Sequence, residues 1–145
     1  MSLTIAQALK EKNKKLQLLA KLWRKLESNN SIPEGNVRTF QPEEILVQLR
    51  EETEAYIALK TRIHLSCDAV REKIFRLSEL KSFVKRLKAV NTDNGFIRNR
   101  YDSSLVKYEA FYSEAALEER TDALEAEIEA IQEELDHFNH THYLQ

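Results

Sequence analysis

The chain has 145 residues, of which 32% are charged and 42% are aliphatic, aromatic or cysteine. Its length corresponds to one domain, and its two glycines and two prolines are too few for the turns of a β-sandwich or a doubly wound sheet. This balance of charged and apolar residues is typical of long amphipathic helices with narrow buried stripes. We therefore predict a mainly α fold.

The net charge of −2 is unevenly distributed along the chain. Residues 5–28 contain seven Lys or Arg and two Glu, a net charge of +5, whereas residues 114–138 contain ten acidic residues and one Arg, a net charge of −9. We expect these basic and acidic segments to lie side by side. Exposed ion pairs are weak and screened by salt, so they would select this arrangement rather than hold it together.

Cysteine count and hydropathy restrict the cellular location. The single cysteine, Cys67, excludes an intramolecular disulfide and suits a reducing compartment. No basic stretch followed by an apolar run opens the sequence, and no uninterrupted stretch reaches the roughly 18 apolar residues that span a bilayer. We predict a soluble, cytoplasmic protein without membrane contact.

A first helix is predicted over residues 5–29. Thr4 is a suitable N-cap, and Gln7 lies three residues later, as in a capping box. The apolar residues that recur along one face are Ile5, Leu9, Leu16, Leu19, Trp23 and Leu26. Leu18 and Leu22 widen this face, which indicates two neighbouring helices rather than one.

The first helix ends before a short connecting segment. Asn29 and Asn30 adopt the left-handed conformation more readily than most residues, and Pro33 and Gly35 follow. Residues 36–40 then alternate weakly between apolar and polar, which suggests a short edge strand.

A second, long helix is predicted over residues 42–91, where Pro42 suits the first helical position. Two lines of apolar residues follow a seven-residue repeat: Leu49, Tyr56, Ile63, Val70, Leu77 and Val84, and beside them Ile45, Leu59, Leu80 and Leu87. This repeat predicts an elongated antiparallel helical hairpin or coiled-coil bundle. The pattern weakens at residues 64–68, where Ser66 occupies a position of the apolar lines and Asp68 can cap a new helix. A kink or break there is therefore nearly as well supported as a continuous helix.

A small β-hairpin is predicted over residues 96–112, and it carries the ligand-binding candidates Arg98, Arg100, Tyr101 and Lys107. Two arginines and a lysine near one turn suit a carboxylate or phosphate through charge-assisted hydrogen bonds. In the alternative interpretation, Arg100 and Tyr101 fix the hairpin to the acidic last helix. An isolated hairpin is marginal in water, so we expect this one to lean on the helices or to pair with the hairpin of another subunit.

The last helix is predicted over residues 114–139, with Ser113 as its cap. Its apolar face consists of Leu117, Leu124, Ile128, Ile131, Leu135 and Phe138. His137, His140 and His142 lie close together in sequence, but no carboxylate with a defined direction supports them, so we predict no metal site and no other cofactor.

The order and spacing of several short segments resemble a known family. The matching segments are residues 5–9, Asn29 and Asn30 with Glu34 and Gly35, the pair Arg100 and Tyr101, and the pair Phe138 and Asn139. In these, and over nearly its whole length, the chain resembles an uncharacterised bacterial family of small helical proteins labelled septicolysin. The resemblance implies a helical fold and leaves the function open, because no segment suits the bilayer that the lytic label suggests.

This chain also departs from the septicolysin-like pattern. Family members have asparagines at the positions of His64 and Cys67, followed by a glycine-containing loop that this chain lacks. The shorter connection favours a continuous or merely kinked long helix. After the Arg-Tyr pair, residues 102–104 are Asp-Ser-Ser where the family has Ser-Arg-Ser, so the resemblance implies no shared ligand at that turn.

Three classes of function compete. We predict a non-enzymatic structural or protein-interaction module that forms a homo-oligomer, most simply a dimer, with an unknown protein as a further partner. The alternative is nucleic-acid binding by the basic part of the long helix, residues 71–88, which the acidic last helix disfavours. An enzyme is the least supported class, because His64 and Cys67 lack an orienting acid and no phosphate-binding glycine loop occurs.

Overall fold

The computed structural model describes residues 2–145 and confirms a mainly α fold with a small β-hairpin. The elements in chain order are α1 (Ile5–Asn30), α2 (Pro42–Ser66), a 3-10 turn (Asp68–Val70), α3 (Arg71–Lys88), β1 (Gly95–Arg98), β2 (Leu105–Tyr108) and α4 (Glu114–Thr141). The chain divides into two compact units. The first unit comprises residues 2–69 and 136–145, and the second unit comprises residues 70–135.

In the first unit, α1 and α2 pack as an antiparallel helical hairpin. Leu22 of α1 is buried against Ile45 and Leu49 of α2, and Lys15 forms an ion pair of 3.6 Å with Glu52. Because the earlier residue of α1 meets the later residue of α2, the two helices run in opposite directions. Burying each of these leucine and isoleucine side chains stabilises the pair by about 1.5–3 kcal/mol.

The buried face of α1 is shifted from the predicted one. Leu16 and Trp23 are exposed, whereas Ala8 and Leu22 are buried. The positions of Ala8, Lys15 and Leu22 follow a seven-residue repeat on the buried face. Because Lys15 is charged, it interrupts the apolar pattern on this face. The sequence therefore predicted that a neighbouring face of the helix would be buried. The start of the helix is as predicted, since the capping box between the N-cap and the third helical residue is present.

The segment predicted as an edge strand, residues 36–40, forms no strand and instead covers the end of α1. The Arg38 guanidinium donates to the carbonyl oxygens of Asn29, at 2.8 Å, and Asn30, at 3.0 Å. The Lys25 ammonium lies 4.4 Å from the centre of the Phe40 ring. The last carbonyls of a helix lack partners within it, so Arg38 satisfies them in place of a glycine cap.

Residues 3–5 and residues 142–145 are joined by backbone hydrogen bonds, and we call this pairing the clasp. The Ile5 N–H donates to the carbonyl oxygen of His142 at 2.9 Å, and the Leu144 N–H donates to that of Leu3 at 2.8 Å. Ile5 and Leu144 are both buried. The clasp ties the beginning of α1 to the segment that follows α4.

The clasp is anchored to α2 through a buried serine. The Ser66 hydroxyl accepts a hydrogen bond from the Gln145 N–H at 2.9 Å and donates one to the carbonyl oxygen of Arg62 at 2.8 Å. The Arg62 guanidinium in turn donates to the Gln145 backbone oxygen at 2.9 Å. Ser66 therefore occupies an otherwise apolar line of α2 because its own buried hydroxyl is satisfied there and in turn accepts from a partly buried backbone group.

The long helix predicted over residues 42–91 is interrupted rather than continuous. α2 ends at Ser66, and the N–H of Cys67 donates to the carbonyl oxygen of Ile63 at 3.2 Å. One 3-10 turn, Asp68–Val70, follows before α3 begins. The break that the weakened pattern allowed is confirmed. An uninterrupted α-helix, one of the two forms that the shorter connection favoured, is not what the structure shows.

Both predicted lines of apolar residues are nevertheless correct on either side of the break. The residues of these lines that are buried are Ile45, Leu49, Ile63, Val70 and Val84, and the others are half-buried. The heptad pattern therefore continues through a change of backbone conformation. The spacing of apolar residues on each helix decides which face is buried, so this burial does not require one continuous helix.

In the second unit, α3 and α4 run antiparallel, and two ion pairs join them, one at each end of α3. Lys73 pairs with Glu134, and Lys88 pairs with Glu125 at 2.7 Å. The buried apolar residues of this unit are Val70, Val84, Leu117, Ile131 and Leu135. The predicted cap of α4 is confirmed, because the Ser113 hydroxyl accepts from the N–H of Ala116 at 3.1 Å.

Candidate functional site

The β-hairpin of the second unit presents two different faces. Phe96 lies opposite Lys107 and Arg98 lies opposite Leu105 in the antiparallel register. Because side chains alternate across a strand, these four residues share one face. The other face carries Ile97, Val106 and Tyr108. The hairpin therefore has one mixed basic and apolar face and one apolar face.

The loop between the strands is shaped by hydrogen bonds from short polar side chains. The Asn99 N–H donates to the Ser104 carbonyl oxygen at 2.7 Å, and the Asn99 side chain accepts from the Tyr101 N–H at 2.9 Å. Asp102 accepts from both the N–H and the hydroxyl of Ser104. Ser103 adopts a left-handed conformation with φ of 59°. The hydroxyl of Ser104 is the main reason that the pKa of Asp102 lies below its ordinary value.

The structure brings two of the four predicted ligand-binding residues together. Arg98 and Lys107 share a face, diagonally placed, and the Lys107 ammonium lies 5.8 Å from the centre of the Phe96 ring. Arg100 and Tyr101 lie on the loop, where Tyr101 is 98% exposed. That exposure is inconsistent with the alternative in which Tyr101 packs against α4. Within residues 2–145, neither Arg98 nor Arg100 has an ion-pair partner.

The hairpin and the residues after it expose an unusual amount of apolar surface. The exposed apolar residues in this stretch are Phe96, Ile97, Tyr101, Leu105, Val106, Tyr108, Phe111 and Tyr112. The open end of the hairpin is closed by the Asn94 side chain, which accepts from the Ala110 N–H at 3.2 Å. A two-stranded sheet with both faces exposed buries little surface of its own, so its local stability in water is small.

A second feature, which the sequence did not reveal, is a cavity of about 370 Å³ in the second unit. Its walls come from the end of α3, the residues just after it and the first turns of α4. The residues that line it are Leu87, Lys88, Val90, Thr92, Glu114, Leu117, Glu118, Thr121, Asp122 and Glu125. The acidic composition of α4 was visible in the sequence, but the cavity, which is open to solvent, forms only because α3 lies beside α4.

Other patterns noted in the sequence have structural roles. In the basic part of the long segment, Lys73, Arg76 and Lys88 are each paired with a carboxylate, so fewer cations are available for phosphate than the sequence suggests. The His142 ring stacks on Phe138 at 4.0 Å between centroids. Among residues 2–145, no group of three His, Cys, Asp or Glu side chains is placed to hold a metal ion. No helix in this range is both long enough and apolar enough to cross a bilayer.

Comparison with known proteins identifies the fold but not the function. No protein-family model matches the chain, and no curated protein matches it. A solved structure of similar fold is that of a functionally unknown conserved protein from Corynebacterium diphtheriae, with a TM-score of 0.81, 21% sequence identity and 100% coverage of both chains. Similarity at this identity shows the fold alone. The resemblance to the septicolysin-like family therefore stays a sequence-based expectation.

Proposed function

We propose that this protein is a structural or interaction module that self-associates through the β-hairpin of its second unit. The observation that carries this proposal is the exposure of both hairpin faces and both outer strand edges. Such a hairpin is marginal on its own, whereas a hairpin that pairs with a second copy gains backbone hydrogen bonds and covers apolar side chains.

The apolar face of the hairpin would gain from a partner. Ile97 and Val106 lie opposite each other, and Tyr108 extends the same face. Fully burying a valine, isoleucine or aromatic side chain contributes about 1.5–3 kcal/mol each. Ile97, Val106 and Tyr108 are 36%, 41% and 44% exposed, so a partner would add less than half of that amount for each. Backbone pairing between the outer strands would have to supply much of the remaining entropy cost of association, which is several kcal/mol.

A second copy is favoured as the partner because the hairpin is nearly neutral. Residues 95–112 contain Arg98, Arg100 and Lys107 against Asp102 and Glu109, a net charge of +1. Two such segments repel each other only weakly at physiological salt. A two-fold axis beside one outer strand would pair that strand with itself and make a four-stranded sheet.

The oligomeric state in solution tests this proposal. We expect light scattering to give a mass above that of one chain, falling on dilution between about 100 µM and 1 µM, since association depends on concentration. Val106→Asp places a charge on the apolar face and should yield the mass of one chain with unchanged helical circular dichroism. Val37→Asp is the matched control, because Val37 is 92% exposed and lies in the first unit.

Two results would contradict self-association through the hairpin. One is a wild-type mass equal to that of a single chain at the highest concentration. The other is an oligomer that Val106→Asp leaves intact, which would place the contact elsewhere on the molecule.

A further inference from the structure

The two outer edges of the hairpin differ in which residues turn their backbone groups outward. In an antiparallel ladder, residues bonded to the partner strand alternate with residues whose N–H and C=O point away from it. Asn99 and Ser104 form a bonded pair just beyond the strands, since the Asn99 N–H donates to the Ser104 carbonyl oxygen at 2.7 Å. The register then assigns the outward groups to four residues: Phe96 and Arg98 of β1, and Leu105 and Lys107 of β2.

The outer edge of β2 is a poor surface for a second copy of itself. Two antiparallel copies centred on Lys107 would bring two ammonium groups together, and like charges directly opposite each other are unfavourable. Copies centred on Val106 would set Leu105 opposite the Lys107 of the other copy, which gives the ammonium group no favourable contact. Copies centred on Tyr108 would need residues beyond the end of β2, where the chain bends at residues 111–112. Lysine on an outer strand is also a common guard against pairing.

The outer edge of β1 suits a second copy because its side chains are complementary. When two β1 strands pair antiparallel about Ile97, Phe96 of each copy lies opposite Arg98 of the other. A guanidinium group beside an aromatic ring is a favourable cation–π contact, and the two-fold axis provides it twice. Phe96 is 68% exposed, so most of its ring is available for this contact. Both residues carry outward backbone groups, so the same pairs exchange backbone hydrogen bonds.

The apolar face of the hairpin becomes continuous across four strands in this register. Ile97 lies on the two-fold axis beside the Ile97 of the other copy, and Val106 of each copy lies next to it on the outer strand. The central row therefore consists of four β-branched side chains, which pack well on a pleated surface. Ile97 and Val106 are exposed in the single chain, and this row covers the side of Ile97 that faces the axis.

Other registers of β1 gain less. A pair of strands centred on Arg98 would set two guanidinium groups against each other. A pair centred on Phe96 would bring the two rings together but would place Ile97 opposite Gly95, which has no side chain to pack. The register centred on Ile97 is the one that satisfies both faces of the hairpin.

We infer that β1 pairs with the β1 strand of a second copy, antiparallel and centred on Ile97, in a sheet with the strand order β2–β1–β1–β2. This inference rests on the proposed self-association and adds to it the strand, the register and the contact between Phe96 and Arg98. It gives a partner to Arg98, which has no ion-pair partner within residues 2–145.

Disulfide trapping tests the register on the full chain. A residue on the two-fold axis is its own neighbour at a Cα separation of about 4.5 Å, which lies within the range that a disulfide needs. Ile97→Cys, in a Cys67→Ala background that removes the native thiol, should therefore form a covalent dimer under mild oxidation. Val106→Cys and Tyr108→Cys report pairing through β2. They should not be trapped, because both β1 strands lie between the two copies of each residue.

Proline variants test the edge without cysteine chemistry. Arg98→Pro removes an outward N–H of β1, and Lys107→Pro removes an outward N–H of β2, while both leave the bonds within the hairpin in place. Arg98→Pro should lower the mass in light scattering to that of one chain. Lys107→Pro, the matched control, should leave the dimer unchanged.

A side-chain variant tests the cation–π contact separately from the backbone. Arg98→Met keeps an unbranched side chain and removes the charge. It should raise the dissociation constant of the dimer about tenfold, because each dimer loses two such contacts. Arg100→Met is the control, since Arg100 lies on the loop and outside the paired strand.

Failure of this inference and failure of the proposed self-association give different results. A wild-type mass of one chain at the highest concentration overturns both. A dimer that is trapped through Val106→Cys or Tyr108→Cys instead of Ile97→Cys keeps the self-association and overturns the β1 pairing. A dimer that Lys107→Pro abolishes and Arg98→Pro leaves intact does the same. Trapping of Ile97→Cys that persists when Val106→Asp has removed the dimer would reflect random collisions and would also overturn the β1 pairing.

Discussion

The two units of this protein differ in how they cover their apolar residues. The first unit buries Ile5, Ala8, Leu22, Ile45, Leu49, Ile63, Cys67, Phe138 and Leu144. The second unit buries only Val70, Val84, Leu117, Ile131 and Leu135, and it exposes aromatic side chains on α3 and around the hairpin. The first unit also exposes large apolar side chains, among them Trp23, Val37 and Leu65, but the second unit concentrates most of its exposed apolar residues in and beside the hairpin.

This difference indicates where to look for function. Large apolar patches that stay exposed in a folded chain mark contact surfaces more often than random surface does. The second unit combines such a surface with an acidic groove and with Arg98 and Arg100, which have no ion-pair partner within residues 2–145. In the first unit, polar side chains anchor the clasp and cover the end of α1. In the proposed function, the first unit contributes mainly structural stability and the second unit carries the contact surface.

The largest expected effect comes from truncating one leucine in each unit. Leu49 is 2% exposed and Leu117 is 7% exposed, so Leu→Ala removes the same atoms from two buried sites. Leu49→Ala should lower the free energy of unfolding by about 2–5 kcal/mol, and Leu117→Ala by less, because a thinner core relaxes around the cavity. Urea unfolding followed by circular dichroism measures both. Equal losses would show that the second unit is packed as tightly as the first.

A smaller effect is expected from Ser66→Ala, which removes the anchor of the clasp. The Gln145 N–H, which is only partly buried, then loses its acceptor, so the cost should be about 1 kcal/mol, the low end of the range for a buried donor without a partner. Amide hydrogen exchange should also accelerate at Leu144 and Gln145. Ser78→Ala is the control, because Ser78 is exposed on α3. Unchanged exchange in Ser66→Ala would mean that the backbone bonds of the clasp suffice without the serine.

The paired substitution Arg98→Ala with Arg100→Ala tests the anion site that the sequence suggested. Both arginines lack ion-pair partners within residues 2–145, so the free energy of unfolding should change by less than about 0.5 kcal/mol. Phosphate binding, followed by nuclear magnetic resonance shifts of the loop amides, should be lost. Arg24→Ala in the first unit is the control. A loss of stability with unchanged phosphate binding would contradict the anion site and restore a structural role for these arginines.

The smallest effect concerns the pH dependence of the hairpin loop. The pKa of Asp102 is lowered in the folded chain, so the contribution of its hydrogen bonds is complete above the pKa of the unfolded chain. That contribution is lost as the pH falls through the lowered pKa. We expect the Ser104 amide signal to shift over that acidic range, and Asp102→Asn to abolish the shift. A titration of Asp102 at the ordinary carboxyl pKa would contradict the loop geometry.

Much of the fold could be predicted because it depends on local rules. The capping box at Thr4, the proline at the start of α2 and the serine cap of α4 each act within one helical turn. The seven-residue lines were correct because burial follows the spacing of apolar residues along a helix. The break after Ser66 coincided with the weakest part of that pattern.

One failure of prediction is local, because Lys15 interrupts the apolar pattern on the buried face of α1. The other failures involve residues distant in sequence. Arg38 reaches back to the end of α1, which no alternation over residues 36–40 could reveal. Ser66 is a polar residue in an apolar line of α2, and only its hydrogen bond with Gln145, 79 residues later, explains why it is there. The cavity required α3 beside α4. The four ligand-binding candidates do lie on the hairpin, as predicted. Which of them share a strand face and which lie on the loop depends on the register of the two strands, and the sequence did not give that register.

The clasp also has a consequence for the order in which the chain folds. Residues 136–145 belong to the first unit, although the whole second unit precedes them in the sequence. During synthesis the α1–α2 pair therefore waits for the final residues to emerge before its ends can close. Contacts between such distant positions slow folding, because a long loop must be ordered first. The hairpin is synthesised before residues 142–145, so in the self-association that we propose, neighbouring nascent chains at high local concentration would meet through it before either has closed its clasp.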